Sequence, residues 1–433
     1  MLNNWKEIRL FVITICALSL FVFLGFNRHS KTGYFNYRSQ LWADKAGYYV
    51  YLPATFIYGY DTSGWPDSLD IKTGDGFHID KASDKIITKY SCGVAILQLP
   101  FFLGAYLLSV RNENSGDGFN PIFHKAIDVA GAFYLTLGLL LIGLILIRKF
   151  NNTIALIVTL TLVGCTNLYY YGIDETGMSH IYSFALFASF LYLIFVTDFM
   201  RHNNVLSYTI FGILAGLMVL VRPTNVIFLS VYLFLELGPG ETLSMRCLRL
   251  LNTKGFFLIL VSFFATISPQ LIYLEYAFGE LLSYSYQNEG FNWFHPKIIN
   301  IWFSPNNGLF LYTPIYLILM GCQIGIIKSN GWKMAYTFIL FIIISYVFSA
   351  WWDWSFGCSF GSRNFVEYLA IFCFPLAEYM YSSGRTVKFY WLIIFTLLAV
   401  LNLKMIYTYD ECFFGLSDWD FERFVHLIIG PTK

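Results

Sequence analysis

Four segments of this chain carry residue types that can do chemistry. In Trp42-Ala43-Asp44-Lys45-Ala46-Gly47-Tyr48-Tyr49, a carboxylate stands directly before an aromatic, apolar run. An acid held among Trp42, Tyr48 and Tyr49 can be tuned into a general base for a hydroxyl group. The same residue at the start of a helix can instead act as an N-cap. A second acidic segment runs Tyr169-Tyr170-Tyr171-Gly172-Ile173-Asp174-Glu175 and reaches Ser179-His180. One histidine without matched carboxylate spacing makes a poor metal site, so Asp174 and Glu175 read either as site acids or as solvated turn residues. Third, Arg222 interrupts an apolar run and is followed by Pro223, which breaks the helix and frees backbone groups. A charge at the membrane edge marks either a functional site or a structural pair across helices. The fourth segment, Trp351 to Asn364, ends in Gly357-Cys358-Ser359-Phe360-Gly361-Ser362-Arg363. Tryptophans such as Trp352 are ordinary interfacial anchors, but glycines near an arginine suit close approach to a phosphate and its planar recognition. Between these last two, the stretches 284–291 and 303–310 offer Glu289, Asn307 and aromatics, which can stack on and hydrogen-bond sugars or simply form polar turns.

These residues sit in a chain that is 57% hydrophobic and only 13% charged over 433 residues, which excludes a water-soluble enzyme. Aromatic content is 20%, and the net charge of +1 gives no electrostatic reason to expect nucleic acid as a partner. Eight cysteines lie scattered without a Cys-x-x-Cys pair, so neither a zinc site nor a dense disulfide framework is expected. The elements that must position the site are apolar helices crossing a lipid bilayer. Eleven windows read as spans: 10–27, 129–147, 152–173, 181–197, 205–221, 226–235, 255–274, 309–327, 334–352, 365–377 and 389–403. The windows at 226–235 and 365–377 are short, and the second contains Glu367. The stretch 90–110 is long enough to cross but is left out, because crossing there would invert everything after it. With the N-terminus inside, twelve Lys and Arg fall in inner loops and only Arg222, Lys297 and Arg363 in short outer ones.

The expected fold is therefore all-α and polytopic, a single membrane domain with no internal repeat. Its first outer loop, 28–125, holds Tyr48–Tyr58 and Gly93–Leu108 as amphipathic or re-entrant surface helices, with 61–89 loop-like between them. The loops 275–308 and 353–364 and the tail 404–433 lie on the same outer side.

The order of these segments resembles the integral-membrane glycosyltransferases of the GT-C fold, the group that contains protein O-mannosyltransferases and aminoarabinose transferases. The resemblance covers most of the chain. It rests on Asp44, on the run Lys89-Tyr90-Ser91-Cys92-Gly93 with Leu99-Pro100-Phe101-Phe102, on Ser179-His180 and on Arg222-Pro223. The segment 288–291 with Asn307-Gly308, and Trp351-Trp352 through Arg363, complete it. It implies a sugar moved from a polyprenyl phosphate, with inversion, to a lipid, glycan or protein acceptor on the outer face of the cytoplasmic membrane. Carried over, Asp44 is the acid that activates the acceptor, with Glu175 a second candidate, and Arg363 and Lys89 hold the donor phosphate, joined by Arg222. Tyr48, Tyr49, His180, Glu289, Asn307 and Trp352 are expected around the substrate. No cofactor is implied, and dependence on a divalent metal stays open. The sequence departs from the family in having Lys45 after Asp44, where some members carry a second adjacent acid, and in lacking the His/Lys-Pro-Pro-Leu motif of the two named branches, which leaves the acceptor open. Two other classes compete: a transporter or flippase of a lipid-linked or polar substrate, and an inactive scaffold with the same fold.

Overall fold

The computed structural model describes residues 2–111, 116–196, 204–235, 242–251, 253–330, 335–409 and 417–432. Thr197, Arg201, Lys333 and Met334, which enter the expected spans and inner loops, lie outside the described residues, as does 410–416 of the expected tail. The chain is an all-α membrane protein whose described residues form six helices long and apolar enough to cross a bilayer. Five of these, Arg9–Arg28, Pro121–Lys149, Ser179–Val196, Lys254–Phe278 and Arg385–Thr408, fall on expected spans. The other six expected windows fall on shorter apolar helices, from Asn152–Gly164 to Leu369–Ser382.

The short helices have identifiable causes. The expected span 152–173 breaks after Gly164 and resumes as Leu168–Ile173. Thr166 turns its hydroxyl back onto the Leu162 carbonyl, and Asn402 donates to the carbonyls of Gly164 and Thr166, 2.9 Å each. Backbone groups freed in an apolar setting need such partners. Val205–Val221 stops at Arg222 because Pro223 cannot continue it, and a 3-10 segment, Pro223–Ser230, follows. Asn225 again repairs the break by donating to the Met218 carbonyl and to Ser183.

The sixth long helix, Gly93–Arg111, is the stretch left out of the expected spans. It runs antiparallel to the first half of Pro121–Lys149. Tyr134 donates to the Leu97 carbonyl at 2.9 Å, Phe102 meets Phe123 with centroids 5.2 Å apart, and Asn120 reaches Ser109 at 3.2 Å. The paired stretch thus covers residues 120–134 of its partner, roughly 20 Å at 1.5 Å per residue, less than the hydrocarbon thickness.

The segment 48–58, expected as an amphipathic or re-entrant surface helix, is broken into short helices. Asp44–Tyr49 and Tyr51–Pro53 are short helices whose apolar side chains are buried, with Tyr49, Val50 and Leu52 packed in a second core with Phe102, Phe123 and Ile127. Leu220 and Tyr273, from two of the apolar helices, belong to the same core. The segment 61–89 contains a small antiparallel hairpin, His78–Asp80 with Lys85–Ile87, that the sequence did not announce. Tyr273 and Tyr276 pin it: their hydroxyls accept from the backbone N–H of Thr88 and Ile86 at 2.6 and 2.7 Å. That anchorage fixes where Lys89 and Tyr90 emerge.

Candidate functional site

Asp44 reaches its position through a strained turn. Ala43 has φ 49° and ψ −123°, a conformation costly for a residue with a side chain. It is held by a 2.7 Å hydrogen bond from Ala43 N–H to Thr73 and by close packing of Gly76, where a Cβ would lie 1.8 Å from the Ala43 carbonyl oxygen. Asp44 does begin a helix, but its side chain caps no backbone N–H, so the N-cap reading fails. Its two oxygens are engaged elsewhere: Tyr90 Oη donates to Oδ1 at 2.5 Å, and Arg363 Nη2 donates to Oδ2 at 3.1 Å. Burial pushes this carboxyl up, but the Arg363 guanidinium, the Tyr90 hydroxyl and Lys89 together pull it further down, leaving it below the usual carboxylate range.

Arg363 opens a short 3-10 turn, and Gly361 precedes it at φ 69°, with the Tyr312 side chain where a Cβ would go. The glycines of this segment therefore serve its turns. Asn307 braces the same loop by donating to the carbonyls of Ser355 and Gly357 at 3.1 and 3.0 Å. Lys89 forms an ion pair with Glu289 at 2.5 Å and lies over the rings of Tyr90 and Tyr286. Tyr90 in turn packs on Tyr48 with centroids 4.6 Å apart, and Tyr48 donates to Ser179.

Arg222 projects from the helix break into a buried group. Its Nη1 donates to Glu367 at 2.9 Å, its Nη2 donates to Asn364, and His180 Nδ1 lies 3.0 Å from the other Glu367 oxygen. Glu367 is fully buried, so this pair matches the structural role considered for Arg222 as well as a place on the site wall. Removing one member of a buried ion pair leaves the other uncompensated. Glu367→Ala is expected to destabilise the fold by about 3–5 kcal/mol, and Glu367→Gln by less, as read from thermal unfolding in detergent.

A single cavity of 1080 Å³ gathers these groups. Asp44, Tyr48, Lys89, Glu175, His180, Arg222, Glu289, Trp352 and Arg363 all line it. Five cations on its wall each face a carboxylate: Arg28 with Asp174, Lys45 with Glu175, Lys89 with Glu289, Arg222 with Glu367 and Arg363 with Asp44. Glu175 thus sits at the cavity in a 2.9 Å pair with the same Lys45 that follows Asp44 in sequence.

Two expected substrate residues lie elsewhere. Tyr49 is fully buried and donates its hydroxyl to the Gly118 carbonyl at 2.5 Å, because its face of the helix turns toward Phe102 and Phe119. Asn307 is spent on the loop carbonyls described above and does not line the cavity. Tyr90, Tyr286, Asn364 and Glu367 were not among the expected site residues, although the first three lie within the segments named for chemistry or for the resemblance, and Glu367 carries a signal as a carboxylate inside an apolar window. Among the described residues no three His, Cys, Asp or Glu side chains form a group able to hold a metal ion. Comparison with protein-family models, curated proteins and solved structures finds nothing that matches this chain.

Proposed function

We propose that this chain is a membrane glycosyltransferase that moves a sugar from a polyprenyl-phosphate donor to a lipid, glycan or protein acceptor on the outer face of the cytoplasmic membrane. The observation that carries this reading is the convergence of Asp44, Arg363 and Lys89, from segments more than forty residues apart in sequence, on one cavity. In the reaction, Asp44 takes the proton of an acceptor hydroxyl as its oxygen bonds to the anomeric carbon. The bond from that carbon to the phosphate oxygen breaks on the opposite face, and the lipid phosphate leaves with the electron pair. Arg363 and Lys89 meet the charge that develops on the phosphate, where such fixed donors act most strongly. Glu175 and Arg28 with Asp174 line the same cavity, so an acceptor has polar groups to meet. The likeness to the GT-C enzymes rests on the order of sequence motifs alone.

The orientation follows from the distribution of Lys and Arg, with eleven spans, an internal N-terminus and a Gly93–Arg111 helix that does not cross. Its pairing with only the first half of Pro121–Lys149 supports this arrangement. So does Cys358 on the cavity wall, which is disulfide-bonded, a state that persists in oxidising compartments. A cysteine placed at Gly118 is expected to react with a membrane-impermeant label from outside, and one at Asn151 only after the membrane is opened. Outside labelling at 151 contradicts the topology.

A transport reading draws on the buried Arg222–Glu367–His180 group among apolar helices. Proteoliposomes containing polyprenyl-phosphate sugars separate the two. A transferase releases polyprenyl phosphate and leaves the sugar on an acceptor or on water, whereas a transporter or flippase moves the intact molecule and breaks no bond. An inactive scaffold does neither.

A further inference from the structure

The five ion pairs around the cavity are not equivalent. In three of them one member is almost fully buried: Asp174 is 8% exposed, Lys45 4% and Glu367 0%. Only in Arg363–Asp44, at 17% and 30%, and Lys89–Glu289, at 37% and 25%, are both members more than a tenth exposed. These two pairs flank Tyr90, whose hydroxyl holds Asp44 and whose ring lies against Lys89. The Arg363–Asp44 contact uses a single N–H, from Nη2 to Oδ2, whereas a phosphate offers the guanidinium two parallel bonds.

We infer that Asp44 occupies the phosphate seat of Arg363 when the cavity is empty, and that an entering phosphomonoester or phosphodiester anion displaces it, freeing Oδ2 while Tyr90 still holds Oδ1. This rests on the proposed donor site and adds an order of events to it. The base is withheld until the donor phosphate is seated, and Oδ2 is the atom that takes the proton. The exchange moves no covalent bond and needs no co-reactant. It also changes the carboxylate's character in the useful direction. With Arg363 on its oxygen, Asp44 is a weak base, and losing that partner raises its proton affinity.

The test is a double-mutant cycle on anion binding, which needs no turnover. Inorganic phosphate and farnesyl monophosphate are titrated against wild type, Asp44→Asn, Arg363→Gln and the double variant in detergent, with thermal unfolding as the folding control. Asparagine can still accept from Tyr90, and Asp44→Ser serves as a second variant with the same expected sign. Asp44→Asn should bind either anion roughly fivefold more tightly than wild type, the worth of a partly exposed ion pair no longer in competition. That gain should vanish when Arg363 is already Gln, because no seat remains to be freed. A gain that persists in the Arg363→Gln background means simple charge repulsion and overturns the exchange, as does unchanged or weaker binding by Asp44→Asn. If neither anion binds wild type or Asp44→Asn, the phosphate site itself is wrong. Equal affinity for the two anions in all four proteins removes the lipid donor and leaves the exchange standing for free phosphate.

Discussion

Arg363→Ala is expected to abolish sugar transfer, and Arg363→Lys to leave it weak. A planar fork that meets a phosphate through two N–H groups is not replaced by a point charge on a flexible stem. Loss of one preorganised donor to a developing anion costs about 10²–10³ in rate, and here the whole charge goes. The position is also structural, since Arg363 is the partner of Asp44 and lies over the Phe356 ring. Its loss leaves Asp44 partly exposed and still bonded to Tyr90, so the fold should survive with a modest drop in unfolding temperature. Turnover of a polyprenyl-phosphate sugar by the purified, folded variant is the measurement. Normal turnover by Arg363→Ala would mean that the phosphate is held elsewhere.

Asp44→Asn should lower the rate by roughly 10²–10⁴, because an amide cannot accept the acceptor's proton. Asparagine keeps the size of the side chain and its ability to accept from Tyr90. A purely structural residue would therefore show little change in activity. The capping explanation, which the sequence allowed, does not apply, since the carboxylate bonds to two side chains and to no backbone N–H of the helix it begins. A second readout comes from stability against pH. A carboxyl held below its ordinary value stabilises the fold above the unfolded-state pKa, and that contribution is lost as pH falls through the depressed folded value. The wild-type advantage over Asp44→Asn in unfolding temperature should therefore hold through neutral and mildly acidic pH. It should fade only at pH values acidic for an ordinary carboxylate.

How much of this was legible beforehand depended on the kind of signal. Apolar windows and a Lys/Arg bias carry the membrane character and the approximate helix positions, because the cost of polar groups in lipid leaves little freedom. The breaks at Cys165–Asn167 and after Arg222 differ in this respect. Pro223 announces the second, whereas the first depends on Asn402, more than two hundred residues away, reaching the carbonyls of Gly164 and Thr166. The burial of the first-loop segment is hidden for a related reason. Tyr49, Val50 and Leu52 look like membrane-surface residues until Phe102, Phe119 and Phe123 fold over them. Charge placed in apolar surroundings was readable at Asp44, Arg222 and Arg363. Their partners were not. Tyr90 is one tyrosine among 31, and nothing in its neighbourhood says that its hydroxyl meets Asp44.

The donor site is tested most directly by a structure of the protein with a non-cleavable phosphonate analogue of a polyprenyl-phosphate sugar. The phosphonate is expected within hydrogen-bond reach of Arg363 and Lys89, the sugar in the cavity on the Asp44 side, and Asp44 Oδ2 no longer bonded to Arg363. An analogue bound away from this cavity, or bound in it with its phosphonate out of reach of both Arg363 and Lys89, would contradict this donor site.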